Sequence, residues 1–412
     1  MHRTLTQISV LFITTMVAYV AAGQQGIVVP VRAGLEGFSD VVIGLFGTAY
    51  ALGFVIGCYV VPWSLRRVGH IRTFGVVASI AASSILLHGL LVYPEVWLVL
   101  RLGVGFAIAG AAMVIESWLN SYATNDNRGS LFSVYMVVYL VAVTGGQMSL
   151  IAFDPAQITM FVVAGMLFSL ALLPTSLTRL AAPAPPPRSA LNLRVLYRLS
   201  PVGAVGALAV GLSNGAFGTL AAVFAQDMGF STAGIAIFVS LALVAGAVAQ
   251  WPLGRLSDLI DRRLVIAGGA ALGACAAIAM AVWAVPGVRG YVLVAGFGVA
   301  AYSLYGLVVA HANDYAKPED FVAVSGGLLL LFGIGSAIGP LVASVLFDVL
   351  SARGLFVFTA CVHGLLSAFT LYRIGQRTPA AEKDEFVAFA RPTSPGAAAL
   401  DPRADEAAAT QD

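Results

Sequence analysis

Apolar runs about 20 residues long, each closed by a short polar break, recur along the chain as far as Arg373. Wound as a helix, a run of that length matches the hydrocarbon thickness of a bilayer, so each predicts one membrane crossing. The first set comprises Leu5–Val31, Val41–Leu65, Thr73–Val92, Val96–Tyr122, Ser130–Ala152 and Ile158–Leu177. The second comprises Pro201–Ala225, Thr232–Leu253, Leu264–Trp283, Tyr291–Tyr315, Phe321–Leu346 and Leu355–Arg373. The pattern predicts an all-α membrane protein with 12 transmembrane helices in two pseudo-symmetric six-helix bundles, residues 1–178 and 201–376.

Between the sets, residues 179–200 hold Pro183, Pro185, Pro186 and Pro187 together with Arg188, Arg194 and Arg198. Proline removes backbone donors and does not fit a helix interior, so a solvated linker is expected there. Residues 377–412 turn to Ala, Pro, Asp and Glu and are expected to be a disordered tail, because they offer little apolar surface to bury. The halves also echo each other. Glu116-Ser117-Trp118-Leu119-Asn120 corresponds to His311-Ala312-Asn313-Asp314, and Gly145-Gly146 to Gly339-Pro340.

Composition agrees with the pattern. Of 412 residues, 59% are hydrophobic and 10% charged, where a soluble domain carries about 25% charged. A formal net charge of +2 gives no reason to expect nucleic acid as a partner. Leu5–Val31 is too long for the apolar core of a signal peptide and reads as the first crossing. Cys58, Cys275 and Cys361 all fall within apolar runs without metal-ligand spacing, and are expected to be buried small hydrophobes.

The basic residues distribute unevenly. With the first helix running inside to outside, Arg3, Arg66, Arg67, Arg72, Arg128, Arg179, Arg188, Arg194, Arg198, Arg255, Arg262, Arg263, Lys317, Arg373 and Arg377 share the inner side. Arg32, Arg289 and Arg353 lie outside. Loops rich in Lys and Arg stay in the cytoplasm, so a multi-pass protein of the cytoplasmic (inner) membrane with both termini inside is expected.

Six segments resemble known signatures. Gly254-Arg255-Leu256-Ser257-Asp258-Leu259-Ile260-Asp261-Arg262-Arg263 resembles the G-x-L-x-D-R-x-G-R-R loop of the major facilitator superfamily, with Leu259 where Arg is usual and Asp261 where Gly is usual. The first-half counterpart, Arg66-Arg67-Val68-Gly69-His70-Ile71-Arg72, keeps the glycine and the basic residues but has Arg66 at the acidic position. Arg101-Leu102-Gly103-Val104-Gly105 is similar to the family's R-x-x-x-G element. Val114-Ile115-Glu116-Ser117, Asn127-Arg128-Gly129 and Gln250-Trp251-Pro252-Leu253-Gly254-Arg255 resemble, more narrowly, its uncharacterised YcaD-type branch. The resemblance spans residues 1–376 and implies the major facilitator fold. It also implies secondary transport by alternating access, with a small solute as partner and an ion or proton as the coupling species.

An ionisable side chain inside a crossing is costly and marks a functional candidate. Arg101 lies roughly 8 Å into the fourth crossing, and no carboxylate occurs at its depth. It is expected to meet an anionic or strongly polar substrate group, or else to be satisfied structurally by Gln147, a tyrosine or a carbonyl. Gln24 and Gln25 stand where many proton-coupled exporters carry an acid. Arg101 and Glu116 fall about 60° apart on the helix, with Gly105, Ala109 and Ala112 between them, a stripe suited to close packing or to a cavity wall. Tyr135 and Tyr139 on the fifth crossing, Asn214 on the seventh and His311 on the tenth complete the substrate or coupling candidates.

Glu116, within reach of Arg128 and Arg67, is expected to form a cytoplasmic gate, and the family resemblance gives Asp258, Arg262 and Arg263 the same role. No nucleotide-binding loop, metal cluster or nucleophile constellation is present, so neither an enzyme nor a cofactor is expected. The competing reading is a non-transporting membrane sensor or assembly partner on the same fold.

Overall fold

A computed structural model describes residues 2–123, 127–177, 193–316 and 320–376, with Thr378 and Phe386 beyond them. The side chains of residues 2–6, 128, 321 and 322 lie outside that description. Among the described residues fifteen α-helices run in order: α1 His2–Leu35, α2 Asp40–Val68, α3 His70–Leu90, α4 Pro94–Tyr122, α5 Arg128–Met148, α6 Thr159–Leu170, α7 Leu172–Leu177 and α8 Leu193–Leu199. Then come α9 Pro201–Asp227, α10 Thr232–Leu259, α11 Arg262–Trp283, α12 Val288–Ala301, α13 Leu304–Asn313, α14 Phe321–Leu350 and α15 Gly354–Ile374. No strand occurs among the described residues.

Among the described residues eleven segments are long and apolar enough to span a bilayer, and one of them, Ala323–Ile374, is 52 residues long. That segment holds two crossings, α14 and α15, separated by the short turn Ser351–Arg353, which brings the total to the expected twelve. Two crossings are interrupted. α6 and α7 share one span, and α12 and α13 share another, broken at Tyr302-Ser303. The short helix α8 lies inside the segment expected to be a linker, whose residues 179–192 are outside the described residues.

The chain divides into two compact units. Among the described residues the first holds 2–38 and 49–177, and the second holds 39–48 and 193–376 with Thr378 and Phe386. The N-terminal end of α2 therefore clusters with the second unit. There Thr48 Oγ1 donates to the Ala337 carbonyl at 2.7 Å. Gly44 and Gly47 lie so close to Pro340, Ser344 and Thr219 that neither position has room for a β-carbon.

The internal repeat is visible in how each unit packs. In the first, α1 lies on α5, with Gly146 against the Val20 carbonyl; in the second, α9 lies on α14, with Gly339 against the Leu212 carbonyl. α4 closes on α2 through Gly105 at the Tyr50 carbonyl, and α12 closes on α10 through Gly298 at the Ala242 carbonyl. The Gly105 stripe on α4 is thus a helix-packing seam, because small residues let two backbones approach in a solvent that supplies no hydrophobic drive.

The turns repeat too, as Gly37-Phe38-Ser39 and Gly229-Phe230-Ser231. Each glycine takes the left-handed conformation, φ 73° and 83°, which ends the preceding helix. Phe38 N–H then donates to the Ala33 carbonyl at 3.0 Å and Phe230 N–H to the Ala225 carbonyl at 2.9 Å. Ser231 Oγ caps α10 by accepting from Gly234 N–H at 3.1 Å, and Ser39 Oγ accepts from Val42 N–H at 3.4 Å. This tripeptide repeat is the clearest sequence mark of the duplication.

Large apolar side chains cover the outward faces: Trp63, Val99, Trp251, Val292 and Leu365 are all exposed. Exposure on this scale fits a hydrocarbon solvent and not water. It also corrects the expectation for the cysteines. Cys275 and Cys361 are exposed and Cys58 is half-buried, because they sit on outward faces where a small apolar side chain meets lipid as readily as protein.

Candidate functional site

α4 begins at Pro94, whose fixed φ and missing N–H suit the first helical position. Arg101 follows seven residues later, roughly 10 Å along the axis, and retains 8% exposure. Its Nη1 donates to Gln25 Oε1 at 2.7 Å, and its guanidinium carbon lies 4.6 Å from the centre of the Tyr50 ring. The edge of the cation is held by an amide oxygen and its carbon lies over an aromatic quadrupole, an arrangement that holds the desolvated charge in place. Gln25 thus joins the partners the sequence offered for Arg101, and Gln147 is half-buried on α5.

Gln24, beside it, donates Nε2 to the Met160 carbonyl at 3.3 Å, while its Oε1 is buried with no hydrogen-bond partner among the described residues. Tyr139 stacks edge-on to Tyr19 at 4.9 Å. The first unit thus brings Arg101, Gln25 and Tyr50 together from three stretches of sequence, while Gln24 reaches the Met160 carbonyl. A tyrosine was among the partners expected for Arg101, but Tyr50 itself was not singled out, since an aromatic inside an apolar run carries no polar signal.

Glu116, with no exposed surface, sits farther along α4 and accepts a hydrogen bond from Tyr135 Oη at 3.0 Å on Oε1. This joins two candidates that were expected to act separately. Arg67, expected near Glu116, is exposed and lies over the Trp63 ring at 5.1 Å. The Arg128 side chain is outside the described residues. In the second unit Asn214 Oδ1 is a buried acceptor with no partner among the described residues, and His311, 4% exposed, packs edge-on to Tyr315 at 5.2 Å.

Charges concentrate at the α10–α11 turn. Arg262, the first residue of α11, is 1% exposed and is held from three directions. Nε donates to Asp314 Oδ2 at 2.9 Å, Nη1 to Ser257 Oγ at 3.0 Å, and Nη2 pairs with Asp258 Oδ1 at 3.2 Å. Asp314 was read in the sequence only as part of the repeat. The corresponding place in the first unit holds a His–Ser contact, His70 Nε2 with Ser117 Oγ at 2.8 Å.

Asp261, the residue that departs from the usual glycine, caps α11: its Oδ1 accepts from Arg263 N–H at 3.0 Å, and its Oδ2 pairs with Arg263 Nη2 at 2.7 Å. Burial alone would raise the Asp261 pKa, but the Arg263 hydrogen bonds and charge hold it below the ordinary value of 3.8. A lowered folded-state pKa adds stability that is complete above the unfolded value and is lost as the pH falls through the folded one. Asp261→Asn, which keeps a capping oxygen but loses the pair with Arg263, is therefore expected to cost about 0.2–1 kcal/mol at pH 7 and to narrow its gap to the wild type below pH 3.8, as read by thermal unfolding at the two pH values.

A family model described as the Major Facilitator Superfamily matches residues 11–303 and 203–403. The chain is 27% identical over 338 residues to proteins named "Uncharacterized MFS-type transporter YcaD" from Salmonella typhi and Salmonella newport (strain SL254), covering 81% of this chain and 87% of each relative. Among solved structures, a bacterial homologue of the human lysosomal transporter Spinster, in an inward-facing and occupied conformation, superposes with a TM-score of 0.73 at 15% identity, over 91% of this chain and 97% of that one. The nucleoside transporter NupG superposes with a TM-score of 0.68 at 14% identity, over 90% and 97%.

Proposed function

Because the chain belongs to the major facilitator superfamily, we propose that it is a secondary active transporter that moves a small anionic or strongly polar solute by alternating access, with Arg101 as the substrate contact. The observation that carries this reading is a guanidinium buried within a crossing and held by Gln25 and Tyr50. A buried amide and a ring fix the fork's direction, which leaves it suited to a carboxylate, phosphate or sulfonate arriving along the transport path. Gln24 Oε1, buried on the same helix as Gln25, supplies a further acceptor for a donor group on the solute.

Coupling is assigned to Glu116, a carboxylate with no exposed surface whose shown partner is a neutral phenol. Membrane-buried acids of this kind carry protons in many transporters. The Asp258–Arg262–Asp314 cluster serves as the gate on the cytoplasmic side, with both termini on that side of the inner membrane, as the asymmetry of Lys and Arg indicates. The test is a ligand-induced thermal-shift screen on purified protein across anionic metabolites, zwitterions, sugars and cationic drugs. A stabilising anionic or zwitterionic hit is then followed into vesicles at several pH values. The expected result is a pH-dependent rate that becomes flat in Glu116→Gln; a pH-flat wild-type rate removes the coupling assignment.

A further inference from the structure

The turn between α2 and α3, within the first unit, concentrates positive charge that the transport reading does not use. Arg66 and Arg67 lie in the last turn of α2, and Gly69 alone separates Val68 from His70 at the start of α3. Its φ of 82° falls in a region that favours glycine. Gly69 N–H donates to the Leu65 carbonyl at 3.1 Å, and Thr73 Oγ1 donates to the Gly69 carbonyl at 2.8 Å. The turn is therefore fixed, and it presents Arg66, Arg67 and Arg72, all exposed. Among the described residues no carboxylate lies within ion-pair distance of any of the three. α3 also begins with no acid in its first turn and no side-chain cap.

The second unit shows what such a turn otherwise contains. Aligned on the Gly37 and Gly229 tripeptides, Arg66 stands at Asp258 and Gly69 at Asp261. Asp258 pairs with Arg262, and Asp261 caps α11. The α2–α3 turn lacks both carboxylates, which leaves arginine forks beside uncapped helix N–H groups, a setting that favours a phosphate. An apolar stripe on α2 leads to the same place. Leu52, Ile56, Val60 and Trp63 follow one another at helical steps and are 44–54% exposed. Arg67 then lies over the Trp63 ring, its guanidinium carbon 5.1 Å from the ring centre. A free phosphate would use only the arginines, whereas a lipid would also lay an acyl chain along the stripe, with Trp63 at headgroup level. We propose that the α2–α3 turn binds the headgroup phosphate of an anionic phospholipid, which supplies the counter-charge that Asp258 and Asp261 supply in the second unit. This site goes beyond the transport reading and does not depend on Arg101.

The test is quenching of Trp63 fluorescence by lipids with brominated chains, on the full-length protein in nanodiscs. Trp97 and Trp118 are buried, so Trp251→Phe/Trp283→Phe leaves Trp63 as the one exposed tryptophan of the five. Brominated phosphatidylglycerol should quench it at a mole fraction at least about tenfold lower than brominated phosphatidylcholine does. Arg66→Gln should reduce that preference up to about fivefold, and Arg66→Gln/Arg67→Gln/Arg72→Gln should abolish it. Unchanged quenching by phosphatidylcholine marks these variants as folded. Lysine at all three positions keeps the charge and should keep most of the preference. Trp63→Phe/Trp283→Phe reports instead from Trp251, beside the turn that has its own acids, and should show a smaller preference. Equal quenching of Trp63 by the two lipids overturns the proposal, as does a preference that survives the triple glutamine substitution or is as large at Trp251. Displacement by inorganic phosphate beyond that given by sodium chloride of equal ionic strength would assign the turn to a free anion and overturn the lipid.

Discussion

Alanine at position 101 is expected to abolish ligand-induced stabilisation and to cut transport at least about 30-fold, while leaving the protein folded. The magnitude follows from the chemistry of the contact. Truncating one partner of a desolvated charge pair costs about 2–5 kcal/mol of affinity, and each 1.4 kcal/mol is about tenfold. The fold should tolerate the change because the shown partners of Arg101 are the Gln25 amide oxygen and the Tyr50 ring, not a buried carboxylate left charged and alone. Losing its donor, Gln25 Oε1 would cost about 1–3 kcal/mol. Arg101→Lys keeps the charge but not the planar fork or its stacking on Tyr50, so it should retain weak, less selective binding. Thermal-shift titration of the three proteins with one anionic hit decides the matter. Equal ligand shifts in Arg101→Ala and wild type would return Arg101 to a structural role.

How much of this was legible beforehand varies with the kind of signal. Twelve crossings could be read from hydropathy because the bilayer imposes one length on every segment. The breaks at Tyr302-Ser303 and between α6 and α7 escaped, since both lie inside runs that stay apolar throughout. Arg101, Gln25 and Glu116 stood out as polar groups in an apolar context, but their partners did not. Gln25 is 76 residues from Arg101, and Tyr135 reaches Glu116 from α5. Tyr50 and Asp314 were missed for opposite reasons: one looked like packing, and the other like the edge of a loop. Asp261 shows how a departure from a family pattern can carry its own explanation. A capping carboxylate replaces a turn glycine and captures the neighbouring arginine.

That arginine, Arg263, supplies the control for the second large effect. Arg262→Ala is expected to destabilise the second unit by about 3–5 kcal/mol, because it leaves Asp314, 2% exposed, and Asp258 facing each other without the cation that pairs them. Arg263→Ala should cost only about 1 kcal/mol: its partner Asp261 is 18% exposed and is rehydrated when the pair is lost. Two adjacent arginines with the same formal charge should therefore differ several-fold in effect. Asp314→Asn, which removes one of the two acids but keeps an acceptor, should fall between them. Thermal unfolding of the four proteins in one detergent measures the order directly. The doubly substituted Arg262→Ala/Asp314→Asn protein should recover part of the loss, since the strain in Arg262→Ala comes from the stranded acid. If the two single arginine variants instead unfold together, positive charge at the turn matters only in sum, and Arg262 does not clamp α10 to the end of α13.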